Sequence, residues 1–126
     1  MTLKLLHVDD EPDIREVAAF ALELDPDIHL TSAPSGEVAL DLLEGGFRPD
    51  VILLDVMMPR LDGPGTLGRL RLMPGLETTP VIFMTARVQA GEVDQYIAMG
   101  AIGVITKPFD PMTLAGQVND LLISRP

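Results

Sequence analysis

Four consecutive apolar residues, Val51, Ile52, Leu53 and Leu54, run straight into Asp55. A short apolar run of this kind suits a strand buried on both faces, as in a parallel sheet. Asp55 then stands where the strand leaves the core. A carboxylate there is costly to bury unless something pairs with it. Any fold for this chain must cover both faces of the strand and supply a partner for the acid.

The flanking sequence supplies the cover. Leu3–Val8 reads as a first strand running into the acidic loop Asp9-Asp10-Glu11. Pro12 fits the first turn of a helix, where a missing N–H costs nothing. Ile14, Val17, Ala18, Ala21 and Leu22 share one face of that helix, and Asp25-Pro26-Asp27 stops it. Ile28–Ala33 is a second strand. Ser35 can cap a second helix with Val38, Ala39, Leu42 and Leu43 as its stripe, ended by Gly45-Gly46. After the central strand, residues 59–65 read as a loop, with Asp62 as a turn residue. A third helix carries Leu67, Leu70 and Met73 inward. Residues 80–85 form a fourth strand. Residues 91–99 form a short helix with Val93 and Ile97 inward. Residues 101–106 form a fifth strand, and Asp110-Pro111 starts a last helix with Leu114, Val118, Leu121 and Leu122 on its stripe. Strands alternating with helices predict an α/β fold, a five-stranded parallel sheet with helices on both faces.

The 126 residues suffice for a single domain, 1–126, with a real core. No apolar run approaches a bilayer span and no signal-peptide pattern is present, so the expected address is cytoplasmic, with no membrane partner. The chain lacks cysteine, which excludes disulfides and thiolate metal sites. Its net charge of -10 argues against direct nucleic-acid binding, which needs a basic surface.

Parallel strands deliver their C-terminal ends to one edge, where ligands of open α/β sheets bind. Four of the five expected strands end in a charged or hydroxyl-bearing residue. These are Asp9 and Asp10, then Asp55, Thr85 and Lys107. Three neighbouring carboxylates repel, so either one holds a proton or a cation is bound. Oxygen ligands of this number suit Mg²⁺. The set is suited to phosphoryl transfer, with a carboxylate nucleophile and cationic groups offsetting charge on the phosphoryl oxygens. Asp55, alone at the end of the central strand, is the best nucleophile. Asp9 and Asp10 are better placed as metal ligands.

At these residues the chain resembles the receiver domain of bacterial two-component response regulators. The likeness rests on VDDE at 8–11, LLDVMMPRLDG at 53–63, MTA at 84–86 and KPF at 107–109. It implies the flavodoxin-like strand order 2-1-3-4-5 and a signalling phosphoacceptor rather than an enzyme. It implies transfer to Asp55 from a histidine kinase or a histidine phosphotransfer protein. Mg²⁺ would be held by Asp10, Asp55 and the Met57 carbonyl, with Asp9 helping through water. Thr85 and Lys107 would contact the phosphoryl group, and the Lys107–Pro108 bond would be cis. The output is implied to be a docking surface made by the fourth helix, fifth strand and fifth helix. Many receivers also pair through this surface on phosphorylation, and the sequence carries no decisive dimer signature.

The chain departs from the family at Val104, where an aromatic switch residue is common. Tyr96, in the helix before, reads first as an ordinary half-exposed tyrosine and second as an alternative reporter. Met57 and Arg87 occupy the positions that tune phosphoryl lifetime in the family, and neither is a good base. A long-lived phosphoaspartate is therefore expected.

Taken singly, each feature has a plainer reading: an acidic helix start, a capping Asp, a strand-end Thr and a solvated Lys. His7 and His29 lack partners at ligand spacing and read as strand residues with satisfied nitrogens. An aspartyl-phosphate phosphatase of the haloacid dehalogenase type would want a second Asp at position 57, which is Met. A flavodoxin-like cofactor binder would want a phosphate cradle where Asp9-Asp10-Glu11 stands. A degenerate receiver would lack some of the five polar residues, and all are present.

Overall fold

The computed structural model describes residues 2–86 and 88–124. Its elements are β1 (Leu3–Val8), α1 (Pro12–Glu23), β2 (Ile28–Ala33), α2 (Gly36–Glu44) and β3 (Val51–Asp55). They continue with α3 (Gly63–Leu70), β4 (Val81–Thr85), α4 (Glu92–Ala98), β5 (Gly103–Thr106) and α5 (Leu114–Ser124). All strand pairs are parallel, in the order β2-β1-β3-β4-β5. This is the flavodoxin-like order expected from the family resemblance.

Every residue of β3 is buried, because the strand lies in the middle of the sheet with helices on both sides. Successive side chains point to opposite faces. Ile52 and Leu54 join Leu6, Val8 and Phe83 in the core covered by α2 and α3. Val51 and Leu53 join Leu5, Ile82 and Met84 in the core covered by α1 and α5. Leu53 and Leu54 are each fully buried, so truncating either to alanine should cost about 2–5 kcal/mol. Asp55 continues the parity of Val51 and Leu53 and emerges on the α1 and α5 side.

Local chemistry accounts for the helix starts. The Ser35 hydroxyl accepts from the Val38 N–H at 3.1 Å. Asp62 does the same for α3, its Oδ1 accepting from the Gly65 N–H at 2.8 Å. Asp62 is thus a helix cap rather than only a turn residue, and the loop after β3 covers residues 56–62 rather than 59–65. Glycine is required at 63: a Cβ there would overlap the Asp55 carbonyl oxygen. Its N–H instead donates to the Val56 carbonyl at 2.9 Å, seating α3 against the exit of β3.

Other boundaries and faces differ from expectation. The last helix begins at Leu114, because Asp110 first forms a turn with the Met112 and Thr113 N–H groups. β5 begins at Gly103 rather than at residue 101. Val17 and Val38 lie at the surface, leaving the smaller Ala18, Ala21 and Ala39 to make the close contacts. In α4, Ile97 faces out and Tyr96 faces in, where its ring meets Phe83 at a centroid distance of 5.1 Å. Seven residues define no unique amphipathic face, and the larger apolar body of the tyrosine takes the inner position.

Candidate functional site

The strand ends converge as the parallel topology requires. Oxygens of Asp9, Asp10 and Asp55 lie within 4.8 Å of one another. Asp9 and Asp55 are buried, and Asp10 is half-buried. Lys107 reaches between them, with Nζ 2.9 Å from Asp9 Oδ2 and 3.1 Å from Asp55 Oδ1. Thr85 is buried at the end of β4. Its carbonyl accepts from the Lys107 N–H at 2.8 Å, which ties the β4 and β5 exits together. The Lys107–Pro108 bond is cis. Met57 follows β3 in the adjoining loop, its side chain turned to solvent. Arg87 lies outside the described residues.

Charges in the cluster oppose one another. Burial pushes the Asp55 carboxyl up to about 6, the Asp9 charge adds to the rise, and Lys107 only partly offsets it. Burial also works against the Lys107 charge, but the bonds to Asp9 and Asp55 outweigh it and raise its pKa. One ammonium is therefore shared by an excess of carboxylates, a state that favours uptake of a further cation.

The donor set fits a hard divalent ion. The ligand atoms are carboxylate oxygens, and buried Asp9 Oδ2 has no hydrogen-bond partner beyond its ion pair with Lys107. The other oxygen, Oδ1, accepts from the Glu11 N–H at 2.9 Å, which holds the carboxylate in place.

Two neighbours were not evident from the sequence. Arg15, one turn into α1, donates from Nη1 to the Asp9 carbonyl at 2.8 Å. A basic residue so soon after an acidic loop was the available signal. His7 is fully buried two residues before Asp9, and neither ring nitrogen has a partner. The expectation of satisfied nitrogens therefore fails for His7, because the neighbouring strand groups are committed to the ladder. Burial lowers its pKa to about 4 despite Asp9, with Lys107 and Arg15 reinforcing the fall. His7 is a neutral core residue.

Comparison with known proteins agrees with this geometry. The sequence pattern of the response regulator receiver domain matches residues 5–119. An uncharacterized 14.6 kDa protein in the sodA1 3' region of Leptolyngbya boryana is 36% identical over 124 residues, spanning 98% of this chain and 93% of that one. Response regulator Rre1 of Synechocystis is 37% identical over 120 residues, spanning 95% of this chain but 52% of that protein. The chain thus spans nearly all of the first relative and about half of the second. The structure of Vibrio cholerae chemotaxis protein CheY4 superposes with a TM-score of 0.87 at 30% identity, covering 96% of this chain and 99% of that one.

Proposed function

This chain belongs to the response regulator receiver family, and from that premise we propose that Asp55 is its phosphoryl acceptor. The receiver is a signalling module and not a classical enzyme. The observation that carries the assignment is the shared ammonium: Lys107 bridges Asp9 and Asp55 at the edge where three carboxylates meet.

The donor is a phosphohistidine on a histidine kinase or a histidine phosphotransfer protein. An Asp55 carboxylate oxygen attacks phosphorus, the N–P bond breaks, and the electron pair leaves with the imidazole nitrogen. Asp9, Asp10 and Asp55, with the Met57 carbonyl, would hold Mg²⁺, which offsets charge on the phosphoryl oxygens when bound. Lys107 keeps its bond to Asp9 and turns the rest of its charge to the phosphoryl group. The Thr85 hydroxyl donates to a phosphoryl oxygen, drawing the end of β4 inward. No other partner is needed for the transfer step, and the chain promotes its own phosphorylation in this sense.

The response passes along β4. Phe83 lies two residues before Thr85, beside Val104 in the β4–β5 register. Val104 cannot swing as a ring can. The Phe83 ring instead meets Tyr96 of α4, so movement of Thr85 reaches α4 through an aromatic pair. Phosphorylation adds charge beside a two-state element, and the surface of α4, β5 and α5 is the output.

Intact mass after phosphoramidate and Mg²⁺ checks the assignment. One added phosphoryl group, absent in Asp55→Asn, is expected. Absence of any adduct with phosphoramidate, acetyl phosphate and a phosphorylated histidine donor would overturn it. The same adduct should persist for minutes or longer without a phosphatase, since Met57 offers no base to an attacking water. Loss within seconds would contradict that part.

A further inference from the structure

Among the described residues, the exposed charged side chains of α4, β5, α5 and their connections are all acidic. From residue 88 to residue 124 the sequence holds a single basic side chain, Lys107. That ammonium is committed to the site, with its side chain 12% exposed. The same stretch holds four acids, Glu92, Asp94, Asp110 and Asp120. Asp94, Asp110 and Asp120 are exposed. Elsewhere the signs mix: residues 1–86 carry six of the nine bases, including Arg60, which pairs with Glu37 at 3.0 Å.

Apolar surface lies among these acids. No residue of α4 is buried, and Ile97 and Met99 are each about half exposed. Between β5 and α5, Val104, Leu121, Gln117 and Asp120 line a shallow groove of about 240 Å³. Among the described residues β5 is an edge strand with β4 as its only neighbour, so one side of its backbone is unpaired within the described sheet.

A twofold contact places the same patch on both copies. On this face such a contact would set acids against acids, with no described base free to answer them. Arg87 and Arg125 flank the stretch in sequence and lie outside the described residues. Like charges brought together across an interface select against that pairing, and opposite charges steer a partner in. We propose that the α4–β5–α5 face docks a cationic amphipathic segment of another protein rather than a second copy of this chain. Its apolar side chains would cover Ile97, Val104 and the groove, and its Lys or Arg side chains would face Asp94 and Asp120. The assignment rests on the receiver reading, because it takes this face as the output surface.

A fluorescent synthetic helix of leucine and lysine at i, i+3, i+4 spacing is the probe, titrated with the full chain after phosphoramidate and Mg²⁺. Intact mass on the same sample reports phosphoryl uptake, so a failed receiver reading shows there and not in the titration. With uptake verified, Asp94→Asn/Asp120→Asn should weaken binding about fivefold or more. Asp41→Asn/Glu44→Gln on α2, an equal change of charge at exposed positions, should leave it within about twofold. Equal weakening by both pairs would reduce the effect to net charge and overturn the proposal. So would equal affinity for a twin peptide with glutamate in place of lysine. Sedimentation of the phosphorylated chain should show a monomer. A dimer broken by Ile97→Glu would give the face to a second copy and overturn the proposal as well.

Discussion

The two ends of the sheet handle charge in opposite ways. At the C-terminal edge, Asp9, Asp10 and Asp55 crowd together, and one ammonium bridges two of them. At the N-terminal edge, two arginines meet neutral backbone acceptors. Arg71 donates to the carbonyls of Leu76, Thr79 and Gly100 at 2.7–3.1 Å. Arg48 donates to those of Leu43, Phe47 and Pro74 at 2.7–3.0 Å. These bonds satisfy carbonyls at a helix end and in the connections, and they fasten the segment between α3 and β4. One end holds the fold together, and the other keeps like charges close for chemistry. A protein can tolerate such local conflict when the rest of the structure is consistent.

Of the two edges, the N-terminal one should therefore respond more strongly to substitution. Arg71→Ala removes three charge-assisted bonds and leaves three carbonyls short of a donor. Urea unfolding should show a loss of about 2–3 kcal/mol. At the opposite edge, filling the metal site should stabilise the chain. Linkage gives about 1.4 kcal/mol at ten times the dissociation constant, read as a higher Tm in Mg²⁺ than in EDTA. An unchanged Tm at millimolar Mg²⁺ would count against the site. Asp55→Asn should raise stability in EDTA at pH 7, on the order of 1 kcal/mol, by relieving repulsion. If Asp55→Asn destabilises as much as Arg71→Ala, the contrast between the two ends is wrong.

Acid titration sharpens the comparison. Asp55 has its folded pKa raised from 3.8 to about 6. The folded state takes up that proton first, so this group adds stability as pH falls from about 6 toward 3.8. His7 has its folded pKa lowered from 6.5 to about 4. The unfolded state takes up that proton first, so this group removes stability as pH falls from 6.5 toward 4. The two nearly cancel in the wild type. In EDTA, Asp55→Asn should lose stability relative to wild type across that fall, and parallel curves would contradict the pairing. The smallest effect is optical. Tyr96 is the only tyrosine and the chain has no tryptophan, so phosphorylation should change tyrosine emission modestly. Asp55→Asn should abolish the change, and an unaltered spectrum on full phosphorylation would break the Phe83–Tyr96 route.

The sheet was legible because its strands announce themselves. Val51, Ile52, Leu53 and Leu54 permit little but a two-sided strand, and parallel connections carry every strand end to one edge. The convergence of Asp9, Asp10, Asp55, Thr85 and Lys107 follows from that topology. The strand order came from the family resemblance, since apolar runs do not encode which strands are neighbours. What stayed hidden depends on distant geometry. Nothing near Arg48 or Arg71 in sequence shows that a guanidinium will reach carbonyls in other connections. His7 looks like any strand residue until its neighbours prove unable to bond it. Helix α4 is too short for its pattern to choose between Ile97 and Tyr96.

The proposed phosphoryl acceptor is one carboxylate, at the end of the central strand. Borohydride reduction of the phosphorylated chain, followed by peptide mass mapping, tests it most directly. Reduction of an acyl phosphate converts the aspartate to homoserine. The modified residue should be position 55 alone, with Mg²⁺ required. Modification at Asp9, at Asp10 or at neither, with Asp55 intact in a chain shown to carry a phosphoryl group, would contradict the account.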